Sequence, residues 1–231
     1  MTTQSCTATF LGRSGKVYTF ENTAVTDGTA GEEMLSGPSP YALTAQSLGD
    51  YAQGDVLIAG IVQAQTNIGC AYISYGGEIV STVPVSAMNV TNMMKPLVKP
   101  IMIKPGMVLQ VITHVVATTQ YYLVCETSSQ SHIFGYTSSG AATGTLTSIL
   151  TGQDVGRVLK GAITNAYFTG PLDTTAAPGG AIFVNGQGNP IGFVPISTSS
   201  KAQPCYSNFN IQLDLNTRAQ VVADAGGETH G

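Results

Sequence analysis

Apolar and polar residues alternate over short stretches of this chain. Residues 211–216 read Ile-Gln-Leu-Asp-Leu-Asn, with an apolar side chain at every second position, which is typical of a strand with one solvent-facing side. Residues 106–124 are rich in Val, Ile, Thr and Tyr, which favour strands. Pairs such as Gly76-Gly77 and Pro105-Gly106 indicate turns, and only residues 44–51 are compatible with a short helix. The pattern predicts an all-β chain of many short strands.

Three blocks of the first half of the chain reappear in the same order in the second half. Residues 54–64 resemble residues 156–166, at an offset of 156 − 54 = 102. The second block, at an offset of 110 or 111, matches Gly69-Cys70-Ala71 and Val83-Pro84-Val85-Ser86 with Gly179-Gly180-Ala181 and Val194-Pro195-Ile196-Ser197. The third, at 110, matches Ile101, Ile103, Gln110 and Val111 with Ile211, Leu213, Gln220 and Val221.

The change of offset falls in one loop, residues 65–68 in the first copy and 167–178 in the second. Conserved order with one length change favours an internal duplication over chance similarity. The sequence therefore predicts two tandem domains, residues 1–128 and 129–231, the second a duplicate of the first. With about 100 residues and many short strands per copy, each is expected to be an antiparallel β-sandwich of jelly-roll type.

Charge is scarce in this chain. Only 10% of residues are charged and the net charge is −4, whereas about a quarter of the residues of a typical soluble domain are charged. Two interpretations stay open: much of the surface is buried against neighbouring proteins, or Ser, Thr, Gln and Asn replace charge on a solvated surface. Without a basic stripe we expect no nucleic-acid partner. Without an apolar run of 18 residues we expect no membrane partner.

The cysteines and the first residues bear on where the protein is made. The start, Met-Thr-Thr-Gln-Ser-Cys, lacks the basic and apolar regions of a signal peptide, so we expect synthesis in the cytoplasm of the host cell. The four cysteines, Cys6, Cys70, Cys125 and Cys205, form no Cys-x-x-Cys pair. The even number leaves disulfides open, but cytoplasmic synthesis favours buried free thiols, and we expect no metal or other cofactor.

Candidate catalytic residues are few. Glu32-Glu33 is the only adjacent pair of carboxylates, and its Gly- and Ser-rich surroundings predict a solvated loop. His114 lies among apolar residues of a predicted strand, and His132 lies between the two copies. The sequence also has no Trp, and the neighbours Tyr121 and Tyr122 would point to opposite faces of a strand, so a sugar-stacking platform is not indicated. No enzyme activity is predicted.

Three lysines precede prolines within a short segment. Lys95, Lys99 and Lys104 are each followed by Pro. Proline cannot donate to a strand ladder and lysine discourages pairing at a sheet edge, so the segment indicates a protected edge strand. The functional interpretation is a positively charged contact with an acidic partner.

Two segments of the first copy carry a resemblance to a known class of proteins. Residues 8–20, Ala-Thr-Phe-Leu-Gly-Arg-Ser-Gly-Lys-Val-Tyr-Thr-Phe, resemble the opening strand pair of the all-β decoration, or cement, proteins of tailed bacteriophages. Residues 96–111, with the pattern Lys-Pro-Ile-Met-Ile-Lys-Pro-Gly-x-x-Leu-Gln, are similar to another strand pair of such proteins. In the second copy, Ile133-Phe134-Gly135 is similar to Phe10-Leu11-Gly12 but lacks the Arg-Ser-Gly-Lys that follows.

This resemblance implies a non-enzymatic structural protein of the virion that binds the outside of a phage head. Its partner would be the lattice of the major capsid protein, and a homo-oligomer, with a trimer favoured, would add to retention. Lys95, Lys99 and Lys104 would then be the candidate capsid contacts. Two alternatives stay open: a small double jelly-roll major capsid protein, and a tail or adhesin module that binds glycans.

Overall fold

The chain is nearly all β in the part that the structure describes. The computed structural model describes residues 3–26, 31–36, 46–64, 69–87, 94–113, 119–138, 143–169, 179–195 and 207–222. Over these ranges 67% of the structure is strand, the two helices have four residues each, and turns and irregular segments connect these elements. The all-β prediction is confirmed, and the jelly-roll type stays a prediction. No helix within the described ranges is long and apolar enough to span a membrane.

The chain divides into two compact units, residues 1–113 and 114–231. Unit 1 contains β1 (Thr3–Gly12), β2 (Val17–Thr26), β3 (Glu32–Glu33), β4 (Leu35–Ser36), α1 (Leu48–Tyr51), β5 (Val56–Ala64), β6 (Gly69–Tyr75), β7 (Glu78–Ala87), β8 (Lys95–Met102) and β9 (Val108–Thr113). Unit 2 contains β10 (Thr119–Thr127), β11 (Ser131–Ser138), β12 (Thr143–Ser148), α2 (Val155–Val158), β13 (Ala162–Thr169), β14 (Gly180–Val184), β15 (Pro190–Pro195), β16 (Ser207–Gln212) and β17 (Arg218–Val222). The predicted boundary at 128/129 falls in the turn between the paired strands β10 and β11, whereas the division between the units lies 128 − 113 = 15 residues earlier.

The strands of unit 1 follow one path of pairings that nearly closes into a barrel. The order is β3-β9-β6-β7-β5-β1-β2-β4, and β8 pairs with β5. The two ends of the path, β3 and β4, are separated in the chain by a single residue, Met34. A parallel pairing of β5 with β7, the pair Val62 and Val85 among them, joins the two layers on the other side. The layers are therefore β4-β2-β1-β5-β8 and β3-β9-β6-β7, with the core between them.

Unit 2 repeats the antiparallel pairings of unit 1, with the single strand β12 in the place of both β3 and β4. Its path is β15-β14-β17-β12-β11-β10-β13-β16. The antiparallel pairs β10–β11, β10–β13, β11–β12, β12–β17, β13–β16, β14–β15 and β14–β17 correspond to β1–β2, β1–β5, β2–β4, β3–β9, β5–β8, β6–β7 and β6–β9. The counterpart of the parallel β5–β7 pairing would fall on residues 196–198, outside the described residues.

Two of the three repeated sequence blocks fall at matching positions in these pairings. Ala71 pairs with Val83 in unit 1, and Ala181 pairs with Val194 in unit 2. Gln110 and Gln220 likewise occupy matching places, opposite Tyr72 on β6 and Ile182 on β14.

The first block was aligned wrongly. Val56 pairs with Met102 on β8, and Ala162 pairs with Gln212 on β16, so the offset between β5 and β13 is 162 − 56 = 106 and not 102. The shared Gly-x-Val-Leu sequence does not mark equivalent positions. Gly156 lies inside α2 in unit 2, whereas Gly54 follows α1 in unit 1.

The two helices are placed by the same contact in both units. The Gly49 N–H donates to the Met107 carbonyl at 2.8 Å, and the Gly156 N–H donates to the Thr217 carbonyl at 3.0 Å. A Cβ on Gly49 would lie 2.8 Å from the nitrogen of Met107, and a Cβ on Gly156 would lie 1.9 Å from the Asp214 carbonyl oxygen. Glycine at these positions therefore lets each helix approach the turn that precedes β9 or β17.

Each unit has its own buried apolar core, and the large side chains are distributed differently. Phe10 on β1 faces Gly60 on β5, and a Cβ on Gly60 would lie 2.6 Å from the Phe10 ring. At the matching place in unit 2, Cys125 faces Ala166. Unit 1 thus places a large residue opposite the smallest one here, whereas unit 2 places two small residues opposite each other.

The strand predicted for residues 211–216 is right only for its first two residues. β16 ends at Gln212, and the following residues form a turn. The Asp214 carboxylate accepts from the Asn216 N–H at 2.8 Å and from the Thr217 hydroxyl at 3.0 Å. Side-chain bonds of this kind compete with strand formation, so the alternating pattern continued past the end of the strand.

Candidate functional site

Three turns of unit 1 lie at the same end of its strands. β1 ends beside the start of β5, since Gly12 faces Leu57, and β5 starts beside the end of β8, since Val56 faces Met102. In the other layer, the end of β6 lies beside the start of β9, since Ser74 faces Val108. We call this end, with its turns at residues 13–16, 76–77 and 103–107, the turn end of unit 1.

The β1–β2 turn is the most exposed part of the turn end. Residues 13–17, Arg-Ser-Gly-Lys-Val, are all exposed, and the Val17 side chain is 59% exposed. The turn is closed by the Gly12 N–H donating to the Lys16 carbonyl at 2.8 Å and by the Gly15 N–H donating to the Gly12 carbonyl at 2.9 Å. Gly15 has φ +83, a conformation that favours glycine. We call residues 13–17 the tip.

The Asp55 carboxylate, at the start of β5, braces this tip. It accepts from the Ser14 hydroxyl, from the Ser14 N–H at 3.2 Å, from the Tyr18 hydroxyl at 2.8 Å and from the Val56 N–H at 2.7 Å. These hydrogen bonds, that from the Ser14 hydroxyl first, lower the pKa of Asp55 to about 2. Asp55 is therefore ionised at neutral pH with its oxygens already engaged, which orders the tip without any partner.

The predicted contact lysines are spread along one strand and the turn that follows it. Lys95 is the first residue of β8, opposite Gly60, and Lys99 lies further along the same strand. Lys104 lies beyond the end of β8, in the β8–β9 turn, where its ammonium group is 5.7 Å from the centre of the Tyr75 ring. From Lys95 to Met102 a strand advances roughly 23 Å. Only Lys104 therefore belongs to the turn end.

The segment around these lysines is an edge strand, in agreement with its prolines. β8 pairs with β5 alone among the described strands. Pro96 and Pro100, which have no N–H to donate, lie within it, and the pairing with β5 is irregular between Leu57 and Ala59. These features hinder further pairing at this edge.

The turn end of unit 2 carries different side chains. Its β10–β11 turn contains Ser128 and Ser129, both exposed, at the place where unit 1 has Arg13 to Lys16. The Thr127 hydroxyl accepts from the N–H groups of Ser129 at 3.4 Å and Gln130 at 3.0 Å, so the turn is held from within. Exposed cations of unit 2 lie on α2, just before β13 and at the start of β17: Arg157, Lys160 and Arg218.

Unit 2 contains a buried histidine–serine pair that sequence reasoning missed. The His132 ring nitrogen Nε2 is 2.7 Å from the Ser148 hydroxyl, which also accepts from the Leu150 N–H at 3.2 Å and from the Thr151 N–H at 3.1 Å. With both acceptor sites used, the hydroxyl donates to a neutral imidazole. Burial lowers the pKa of His132 to about 4. Both side chains are buried, at 5% and 3% exposure, so the pair joins β11 to the end of β12 and is closed to a substrate.

A second buried polar cluster lies on β10, β11 and β13. The Glu126 carboxylate accepts from the Ser131 hydroxyl at 3.3 Å and from the Asn165 side-chain amide at 3.1 Å. All three residues are at most 8% exposed. The cluster satisfies polar groups that would be costly to bury alone.

The Glu32-Glu33 pair lies on a strand, so the prediction of a loop was wrong. Glu32 faces Val111 and Glu33 faces Gln110 on β9. The Glu32 carboxylate accepts from the Thr26 N–H at 2.7 Å. Burial, together with the nearby Asp50 charge, raises the pKa of Glu33. The pair helps to hold β2 and β9 beside each other, and His114, the other catalytic candidate, lies outside the described residues.

The cysteines match the prediction of buried free thiols where they are described. Cys6, Cys70 and Cys125 are buried and form no disulfide, and burial raises the pKa of the Cys70 and Cys125 thiols. Cys205 lies outside the described residues. Over the described ranges no group of three or more His, Cys, Asp or Glu side chains could hold a metal ion.

Comparison with known proteins adds no relative. No family model matches the chain, no curated protein matches it, and no solved structure matches it.

Proposed function

We propose that this chain is a non-enzymatic structural protein of a virion, a decoration protein that binds the outside of a phage head. The observation that carries the proposal is a surface with little charge and many exposed apolar side chains. Only 10% of the residues are charged. Within the described ranges the exposed large apolar residues are Val17, Leu35, Tyr51, Tyr75, Met102, Leu150, Phe193, Leu215 and Val222. Such a surface suits close packing against neighbouring proteins.

The proposed role is consistent with the polar groups that the fold places inside. The His132–Ser148 pair is buried and joins strands, so it supports a structural role. Tyr121 is stacked on Phe168 in the core, with ring centres 5.6 Å apart, and is not free to stack on a sugar. We favour the capsid over a glycan as the partner. We further propose that the protein is made in the host cytoplasm and assembles as a homo-oligomer, with a trimer favoured.

We infer further that the two units arose by tandem duplication of one β-sandwich domain. Support comes from their matching antiparallel pairings and from irregularities at the same places. The pairing of β1 with β5 shifts between Leu11 and Gly12, and that of β10 with β13 shifts between Glu126 and Thr127. The repeated frame also favours a second candidate function, a small double jelly-roll major capsid protein, because that class joins two such domains in one chain.

Light scattering and sedimentation with shells test these functions. The purified chain would be sized by size-exclusion chromatography with light scattering and then mixed with undecorated shells of the phage that encodes it. A discrete monomer or trimer that sediments with the shells at stoichiometric occupancy supports the decoration role. A chain that ignores the shells and assembles into hexagonal arrays or closed particles supports the major capsid protein instead.

A further inference from the structure

The tip of unit 1 combines exposure, positive charge and order. Arg13 and Lys16 are exposed, and in the described part of the chain neither side chain has an ion-pair partner. The nearest carboxylate in the hydrogen-bond pattern, Asp55, accepts from Ser14, Tyr18 and the backbone. The one acid at the base of the tip is thus used to shape it.

An ordered loop has an advantage as a binding surface. A flexible loop loses conformational entropy when a partner fixes it, at a cost of about 0.5–1.5 kcal/mol for each immobilised side chain. The Asp55 brace fixes the backbone of the tip beforehand, through bonds to residue 14 on one side and Tyr18 on the other. The matching turn of unit 2 is also ordered but carries serines, so this frame does not need cations at the turn to fold.

We propose that the tip, residues 13–17, is the contact through which this chain binds an acidic protein surface. The partner class follows from charge complementarity: the chain has a net charge of −4, yet its projecting tip pairs two cations with an exposed valine. A small apolar and cationic contact of this size fits a carboxylate-rich protein patch that repeats on a lattice. The identification of that lattice as a capsid rests on the proposed function.

Charge reversal at the tip tests the proposal against a matched control. The variants are Arg13→Glu/Lys16→Glu at the tip and Arg157→Glu/Lys160→Glu in unit 2, which change the net charge equally. The probes are undecorated phage shells, immobilised poly-L-glutamate, duplex DNA, and vesicles with anionic lipids. We expect the tip variant to bind shells and polyglutamate at least tenfold more weakly at about 50 mM salt, with a smaller difference near 500 mM salt. The unit 2 variant should bind within about threefold of the wild type.

A third variant separates shape from charge. Asp55→Ala removes a negative charge beside the tip, so electrostatics alone would strengthen binding to an acidic surface. Loss of the brace should weaken it instead, and we expect weaker binding with a melting temperature that leaves the chain folded. A tighter complex would overturn the role of the brace.

The combination of variants and probes distinguishes a wrong assignment of the tip as the contact from a wrong proposed function. Equal loss of shell binding in the tip and unit 2 variants, or no loss in either, overturns the tip as the contact while leaving the decoration role standing. Binding to polyglutamate but not to shells, with the loss confined to the tip variant, supports the tip and overturns the decoration role. Binding of DNA or vesicles alone overturns the choice of an acidic protein.

Discussion

The two units share one frame of pairings and differ in the polar side chains at its turns. Tyr18 in unit 1 and His132 in unit 2 occupy matching places, opposite Phe10 and Cys125. Tyr18 bonds to Asp55 at the start of β5 and so supports the tip. His132 bonds instead to Ser148 at the end of β12. The frame is therefore set by apolar positions and close-approach glycines, while the polar residues at a given place are free to serve different purposes.

The largest effect should come from a charge placed in either core at the repeated valine. Val83 and Val194 are 4% and 0% exposed. Val194→Asp and Val83→Asp should each lower the free energy of unfolding by roughly 3 kcal/mol or more, because an unpaired carboxylate would be buried. Val222→Asp, at a side chain that is 43% exposed, should change it by less than about 0.5 kcal/mol. Chemical denaturation measures all three, and a small effect at one valine alone would break the match between the units.

The glycines of the two helices, Gly49 in α1 and Gly156 in α2, allow the two units to be compared at a close backbone contact. Gly49→Ala and Gly156→Ala should each destabilise by about 2–3 kcal/mol, since the new Cβ would collide with backbone atoms of the following turn. Gly156→Ala should be the worse of the two, because its nearest atom is closer. Gly152→Ala is the control: its φ of +69 is unfavourable for alanine but nothing lies within 4 Å of the new Cβ, so about 1 kcal/mol is expected. A silent Gly49→Ala would mean that α1 is not fixed by this contact.

His132 should make the stability of the wild type depend on pH in a way that the His132→Gln variant does not share. The pKa of His132 is lowered by burial from 6.5 to about 4, so between these pH values the unfolded chain holds a proton that the folded chain does not. The stabilisation that depends on neutral His132 is complete above about pH 6.5. The free energy of unfolding then falls by on the order of 2–3 kcal/mol as the pH drops to about 4. His132→Gln should remove this decline, as seen in denaturation curves measured between pH 7 and 4. Asp55, with a pKa of about 2, destabilises only below about pH 4, so a decline that persists in His132→Gln would contradict the assignment.

The smallest expected effect is the partial recovery of stability when two destabilising core substitutions of unit 1 are combined. Gly60→Ala should clash with Phe10, and Phe10→Cys should leave a cavity, each with a loss of about 1–3 kcal/mol. The double variant recreates the Cys125–Ala166 arrangement of unit 2, so we expect its loss to be smaller than the sum by about 1 kcal/mol. Strict additivity in a double-mutant cycle would show that the two places are not equivalent.

The sequence was informative where a structural preference is local. Gly76-Gly77 and Pro105-Gly106 lie in turns, as predicted, and Gly76, Gly77 and Gly106 have positive φ. The second and third repeated blocks also lie on matching strands, because both retain their pairing partners. These signals need only neighbouring residues or a second copy of the same pattern.

The rest depended on partners far away in the chain. The bond between Ser14 and Asp55 spans 41 residues, and no spacing rule links the two. The two-residue strand β3 is too short to show alternation, so the sequence around Glu32-Glu33 indicates a loop, and the strand depends on the pairing with β9. Arg13 to Lys16 were noticed only through the resemblance, since four exposed residues have no periodicity of their own.

The difference between the Phe10–Gly60 pair of unit 1 and the Cys125–Ala166 pair of unit 2 affects folding as well as packing. Two tandem units with one pairing scheme risk misassembly, in which a strand of one unit takes the place of its counterpart in the other. Were β1 to pair with β13, the Phe10 ring would meet the Ala166 methyl group where it needs the space left by Gly60. Such a swapped intermediate would be overpacked and short-lived. The different core side chains of the two units would therefore disfavour an exchange of strands between them.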